Sequence, residues 1–477
     1  MKKKIINRII LLFTAFAMLS CSEDFINLSP ISSASSTNFY KTQADFETAI
    51  WAVYRDWHNL YDRMLTEFLE LRGDTYTGAS YSYVQVSTNN FTDNAMEGPW
   101  SSFYKIIADA NIVLDRIEGV EFDASVKNRI IGEARFARAE AYFYLIRFFG
   151  SVPLVVHEIS SKEALTCGRA PMNDILAQIE DDYKFALANV RQNITLSESF
   201  GLWHKYAVEG QLARFYITLS GSVYKQNRWA DAKPLLEDIL NNSPFGFAPT
   251  FEEIFADDGS GEKSEEVILS VVYKAGSGNI SHAPYPEQFN IFGQCNATLE
   301  PGVIESFEDG DIRKDISVAP GGNNLNGQYI DKKCNVKFDW GYDAATNTSG
   351  MDSYVLRYTD VQLMYAEMLA EIAGSVPEQA LELFNRSRVR AGLKALTPAD
   401  VPDIAAFRLA MEKERRSELM FECVRWFDLV RTGRAVDALR AIGKNADETW
   451  LLFPIPQSEI DKVGKEVLPQ NPGYPGA

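Results

Sequence analysis

The chain has 477 residues, 46% hydrophobic and 12% aromatic, with 47 Lys+Arg against 65 Asp+Glu for a formal charge of −18. An acidic surface of this kind argues against nucleic acid as a partner and against electrostatic attraction to anionic lipid, leaving neutral ligands and proteins. The apolar fraction and length support a sizeable core in one large domain or two.

The N-terminus reads as an address. Lys2, Lys3, Lys4 and Arg8 form a basic n-region ahead of an apolar run over 9–19. A bilayer core takes about 20 apolar residues, so this run is an export signal rather than an anchor helix. Met18-Leu19-Ser20-Cys21 resembles the lipobox of bacterial lipoproteins, in which the cysteine thiol takes a diacylglyceryl group and becomes the acylated N-terminus. Each buried methylene of such an anchor contributes roughly 0.8 kcal/mol, and two or more chains hold stably where one does not. The division that follows is a signal peptide over 1–20, a lipidated tether over 21–45 and a folded body over 46–477. Losing 1–20 removes four of the 47 basic residues, so the mature chain carries 43 against 65 acidic ones, a charge of about −22.

Most of the body reads helical. Short amphipathic segments at 46–60 and 65–72 precede 100–117, whose Phe103, Ile107, Ala110 and Leu114 keep helical spacing. The stretch 129–149 is rich in alanine, which permits close helix contact, and Gly150 and Pro153 stop it. Helices follow at 172–190, 203–220 and 229–240. The segment 224–240 resembles the second half of a tetratricopeptide repeat, one residue short of the usual spacing. A helix pair at 359–393 breaks at 374–377, and 404–434 reads as one long final helical stretch. Repeats of this kind bury their apolar faces only by stacking into a superhelical wall. The scaffold is therefore placed at about 100–242 and 354–434.

Two regions depart from helical spacing. Residues 73–99 are polar and aromatic, and 274–353 are rich in Gly, Asn, Asp and Pro. Loops this long in a compact domain are usually functional or disordered, and disorder depletes the aromatics that these retain.

Several stretches in chain order resemble the SusD/RagB family of outer-membrane nutrient-binding lipoproteins. They are the lipobox, GEARFARAEAYFYLIRFFGSVPLV (132–155), RYTDVQLMYAEMLAE (357–371), ALELFNRSRVRAGL (380–393), KERRSELMFECVRWFDLVRTG (413–433), LFPIPQSEI (452–460) and LPQNPGY (468–474). The resemblance implies a mainly α, SusD-like fold: a tetratricopeptide-like helical-repeat superhelix packed against an irregular loop-rich lobe. It implies a lipid-anchored protein on the outer-membrane surface that sits over a SusC-like TonB-dependent transporter and passes it glycans or, in some members, peptides. It implies no catalysis and no cofactor.

Glu414, Glu418 and Glu422 fall at i, i+4, i+8. Paired carboxylates could serve a glycosidase, but a structural network threaded by Arg415, Arg416, Arg425, Arg386 or Arg388 explains them more simply. Tyr142, Phe143, Tyr144, Phe148 and Phe149 read as core, as do Trp51 and Trp57. The four histidines are scattered singly, and PGGNNLNG (320–327) lacks the Lys-Ser/Thr of a phosphate loop. Cys167, Cys295, Cys334 and Cys423 have no metal-ligand spacing, and an oxidising compartment permits a Cys295–Cys334 bridge.

The loop aromatics are different. A sugar ring presents an apolar face and a rim of hydroxyls, so it suits a flat aromatic platform beside polar side chains. Tyr81 and Tyr83 with Asn94, and Tyr285, Asp339, Trp340 and Tyr342, are the candidate glycan contacts, and the two clusters are expected to meet on one surface. The competing readings are a lipid-anchored helical scaffold for peptide or protein, and a glycoside hydrolase on an α/α framework.

Overall fold

A computed structural model describes residues 39–78, 81–92, 94–256, 263–277, 295–324, 327–338, 342–343, 345–346 and 348–477. The fold is mostly helical, with few strands. The first helix, α1 (Gln43–Asn59), opens on a capping box in which the Thr42 hydroxyl and the Asp45 carboxylate satisfy each other's backbone N–H. Phe39 and Tyr40 already pack on the core, so the folded body starts several residues before 46. One π-helical turn (Leu60–Met64) joins α1 to α2 (Leu65–Glu70).

The scaffold is a succession of neighbours. α4 (Glu97–Ile117), α5 (Ala124–Phe149), α6 (Met172–Asn189), α7 (Lys205–Ser220) and α8 (Trp229–Asn242) each pack on the next, and α1 lies against α4 and α5. α5 is the axis. Ala134, Ala137, Ala139 and Ala141 are fully buried, and Gly132 lets the end of α6 approach its backbone. A helix buried on all sides must pair its polar groups internally. Arg138 makes a two-pronged contact to Asp182 at 2.7 and 2.8 Å, and Glu140 accepts from the Tyr183 hydroxyl at 2.6 Å and from Gln211 at 3.0 Å.

After α8 the chain leaves the stack and returns as α9 (Tyr358–Ala373), which packs on α8 as though the sequence were continuous; α10 (Glu378–Arg390) and α11 (Ile404–Glu418) lie on α9. Gly374 ends α9 at φ 62°, a left-handed position. No helix among the described residues is long and apolar enough to cross a membrane.

Three expectations need correction. The stretch 404–434 is not one helix: α11 stops at Glu418, and α12 (Arg425–Arg431) and α13 (Ala435–Ala441) follow a turn. Phe421 and Cys423 sit at φ 68° and 59° in that turn, without a glycine to announce it. Tertiary partners replace the lost helical bonds: the buried Lys337 ammonium takes the carbonyls of Glu418 and Met420, and the Cys423 N–H donates to Glu70. Residues 73–99 are not wholly loop, since α3 (Tyr81–Thr88) forms there, burying Tyr83 and Val86 at helical spacing. Finally, Trp57 is core, but Trp51 is 52% exposed.

Candidate functional site

The irregular lobe is built from short two-stranded pairings. The decisive one joins β1 (Tyr76–Gly78) to β3 (Ala297–Leu299) antiparallel, Tyr76 opposite Leu299. Because β1 belongs to the first loop region and β3 to the second, the two regions become one structure. Neighbouring bonds extend the seam: Glu300 N–H to the Thr75 carbonyl at 2.9 Å, and Leu299 N–H to the Lys333 carbonyl at 3.0 Å. Cys295 and Cys334 are disulfide-bonded and fully buried beside it. β2 (Val267–Val271) pairs with β10 (Ser353–Arg357), β4 (Val318–Ala319) with β7 (Cys334–Asn335), β5 (Gly322–Asn323) with β6 (Tyr329–Ile330), and β8 (Tyr342–Asp343) with β9 (Thr348–Ser349).

Under this seam lies an aromatic floor. Tyr76, fully buried, sets its ring 5.0 Å from that of Phe421. Phe421, Phe338, Met351 and Tyr354 line one small crevice, and Phe338 and Tyr354 both pack on Phe255. The turn holding Phe421 thus touches both β1 and the segment that leads to residues 339–342. Gly78 is required by closeness, because a Cβ there would strike the Tyr83 backbone.

Below the floor, charge bolts the lobe to the scaffold. Arg357, fully buried, binds Glu266 at 2.6 Å, Glu418 at 3.1 Å and Glu422 at 2.7 Å. Arg390 binds Glu266 at 2.5 Å and Glu418 at 2.6 Å; Arg313 binds Glu414 at 2.7 Å and Glu418 at 3.1 Å. Lys337 binds Glu422 at 2.7 Å. Burial opposes ionising Glu418, but Arg390, Arg357 and Arg313 outweigh it and hold its carboxyl down at about 2. Burial in turn pushes the Lys337 ammonium down to about 8, against the pull of Glu422. Glu414, Glu418 and Glu422 therefore belong to a structural ion-pair network, but of Arg415, Arg416, Arg425, Arg386 and Arg388 only Arg388 touches the stripe, at 3.5 Å from Glu414. Carboxylates this buried and this occupied do not form the solvated acid–base pair that glycoside cleavage needs.

The predicted contacts divide. Tyr83 is 4% exposed and offers no open ring face. Asn94 is exposed but serves the C-terminal segment, its side-chain oxygen accepting from Ser458 N–H at 3.2 Å. Nearby Phe91 packs on Phe453 and Tyr474, so Asn89, Phe91 and Asn94 face the chain's end rather than the seam. The backbone of Tyr81 opens α3 and that of Tyr342 opens β8; their side chains are not described. Tyr285, Asp339 and Trp340, like Cys21, lie outside the described residues. Tyr329 was missed. It stands on β6 (Tyr329–Ile330) of the same lobe, 63% exposed, after a Gly327 turn at φ 75° that could have signalled a hairpin tip.

Two family models match in sequence order. Residues 24–217 match one described as starch-binding associating with outer membrane, and 302–474 match the SusD family. The chain belongs to the SusD family. A curated relative, SusD-like protein P2 of Formosa agariphila, is 27% identical and aligns over 99% of this chain and all of its own. Among solved structures, a SusD superfamily protein from Parabacteroides distasonis superposes with TM-score 0.78 at 24% identity, covering 93% of this chain and all of that one. Surface glycan-binding protein A from Bacteroides thetaiotaomicron, solved with laminarihexaose, gives 0.76 at 18% identity over 90% of this chain and 99% of its own. At such identities the likeness establishes the SusD fold. The comparisons thus bear out the fold and family expected from the sequence motifs.

Proposed function

We propose that this SusD-family protein captures a glycan on the loop-rich face over the β1–β3 seam, leaves it uncleaved, and delivers it to a SusC-like TonB-dependent transporter. Acylation of Cys21 holds it at the outer-membrane surface, with 1–20 as signal peptide and the remainder as tether and body. The observation that carries this reading is the β1–β3 pairing, which puts side by side the two regions that hold Tyr81, Tyr285, Trp340 and Tyr342, with Tyr329 exposed on the same lobe. The starch-binding description of one matching model and the laminarihexaose bound to a structural neighbour support a carbohydrate over other neutral ligands. A planar ring stacked on a sugar contributes contact area at low rotamer cost.

The test is titration of purified protein against a glycan panel. Trp340→Ala is expected to weaken binding of the recognised glycan by about tenfold, with unchanged far-UV circular dichroism and no shortening of the glycan on prolonged incubation. Unchanged affinity in both Trp340→Ala and Tyr329→Ala, or release of shorter sugars, would overturn it. The peptide-binding reading has one feature in its favour, a groove of about 290 Å³ on the helical wall lined by Trp229, Phe407, Arg408 and Met411; a peptide pool assayed beside the glycans decides between them.

A further inference from the structure

A small cavity of about 30 Å³ lies where the earlier helices of the stack meet the later ones. Arg147 of α5, Arg214 of α7, Arg415 of α11 and Arg431 of α12 all line it. Space of about 10–15 Å³ already admits a water, so this cavity has room for a group of about two or three heavy atoms. Clustered guanidinium groups need carboxylates among them, and three of the four have them. Arg431 holds Glu367 at 2.6 and 2.8 Å and Asp428 at 2.8 Å. Arg415 holds Asp428 at 2.7 Å and Asp360 at 2.6 Å, and Arg214 holds Asp360 at 2.5 Å.

Arg147 is the exception. Its Nε–H donates to the Phe143 carbonyl at 3.0 Å, and among the described residues neither terminal nitrogen has a partner. Glu140, on the same helix, is spent on Tyr183 and Gln211. Glu422 also lines the cavity, but Arg357 and Lys337 occupy it. Four guanidinium groups therefore share three carboxylates, Asp360, Glu367 and Asp428, and the surplus charge sits on Arg147. Its guanidinium carbon lies 3.6 Å from the Phe143 ring centroid and 3.8 Å from that of Phe427. Rings this close cover the faces of a planar cation and leave its edge, where the donors point, open to a ligand. Tyr61 and Tyr144, 4% and 6% exposed, also line the cavity, and their hydroxyls bond each other at 2.7 Å. Only one of two hydroxyls donates in such a bond, so the other keeps a proton with no acceptor.

We propose that this cavity binds a small monovalent oxyanion of the carboxylate class, held by the terminal nitrogens of Arg147 with the spare tyrosine hydroxyl beside it. Two oxygens on one carbon match the parallel N–H groups at a guanidinium edge. The bound anion supplies the negative charge that the four arginines lack. It does so where α5 and α7 meet α9, α11 and α12, so it clips the two ends of the stack together across the long insertion between α8 and α9. Anion binding here requires nothing of the glycan face.

Urea unfolding of the purified protein in sodium formate tests it, with sodium gluconate at equal ionic strength as the reference, since gluconate is too large for the cavity. Stability is expected to climb along a saturating curve. The folding equilibrium constant should rise about tenfold once formate stands tenfold above its dissociation constant. Arg147→Met keeps an apolar stem between the rings and removes the donors. In gluconate this variant is expected to be at least as stable as the wild type, because an unpaired cation has gone; in formate it should gain nothing. A stability loss of equal size in both salts would assign Arg147 a packing role and overturn the proposal, as would a formate gain that stays linear or persists in the variant. A crystal structure of the wild type grown in formate gives a reading that does not depend on the variant's folding. Density for formate within hydrogen-bond distance of the Arg147 terminal nitrogens is expected, and water alone at that position overturns the proposal.

Discussion

Arg357 carries more of this structure than any exposed charge. It is fully buried and holds three carboxylates from two parts of the chain, so Arg357→Met takes one buried partner from each of Glu266, Glu418 and Glu422 and leaves Arg390, Arg313 and Lys337 to neutralise them. Breaking a buried pair from one side costs about 3–5 kcal/mol, and urea unfolding is expected to register a loss of that order. Arg408→Ala, whose side chain is 58% exposed beside Glu371, is the control; its effect should stay below about 1 kcal/mol. A second residue makes stability depend on pH. His204 caps α7, its Nδ1 accepting from Ala207 N–H while Nε2–H donates to the Ile268 carbonyl. Burial lowers its pKa from 6.5 to about 4, so the fold needs the neutral ring. The unfolded chain takes up this proton first, and stability is full above pH 6.5 and declines as pH falls toward 4. His204→Asn keeps an N-cap acceptor without the titration. Comparing wild type and variant at pH 7.5 and 5 cancels the carboxylates common to both; the variant is expected to lose less, and an identical decline would refute this.

At the scale of elements, the lobe is held by closure rather than by long strands. β3 and β7 (Cys334–Asn335) are three and two residues long, and the Cys295–Cys334 bridge closes a loop with a sequence separation of 39. In the chain-entropy account such a loop is worth about 4 kcal/mol. Reduction, or Cys295→Ser with Cys334→Ser, is therefore expected to lower the unfolding midpoint, and to loosen the irregular lobe before the helical stack, since α4–α8 share no residue with the loop. Calorimetry with and without reductant checks it: an unchanged thermogram would mean that the bolts through Arg313, Lys337 and Arg357 hold the lobe alone. The break after α11 belongs to this scale too. Its turn at Phe421 and Cys423 fits no local rule, yet it lets one segment touch Tyr76, line the Phe338 crevice and present Glu422 to Arg357 and Lys337.

For the molecule as a whole, the proposed function demands a fixed place outside the cell. If Cys21 bears the anchor, Cys21→Ser moves the protein from the membrane fraction to the soluble one on fractionation, and a variant that stays with membranes sinks the assignment. The helical stack is continuous in space though interrupted in sequence. Its neighbours pack along one continuous series from α4 to α11 although more than a hundred residues intervene between α8 and α9, so the lobe hangs on the stack without being needed to form it.

Helical periodicity, the stops at Gly150 and Gly374, and the order of the family-like stretches were legible in the residues, because each depends on neighbours within a turn or two. That the two loop regions share a surface, that Tyr83 is core and Asn94 an anchor, that Trp51 is exposed, and that Arg313, Arg357 and Arg390 thread the acidic stripe depended on partners dozens to hundreds of residues away. Local spacing fixes which face a side chain takes on its own element. Only the packing of elements against one another determines whether that face meets solvent, a counter-charge or the core, and that is what turns a candidate contact into a site or a strut.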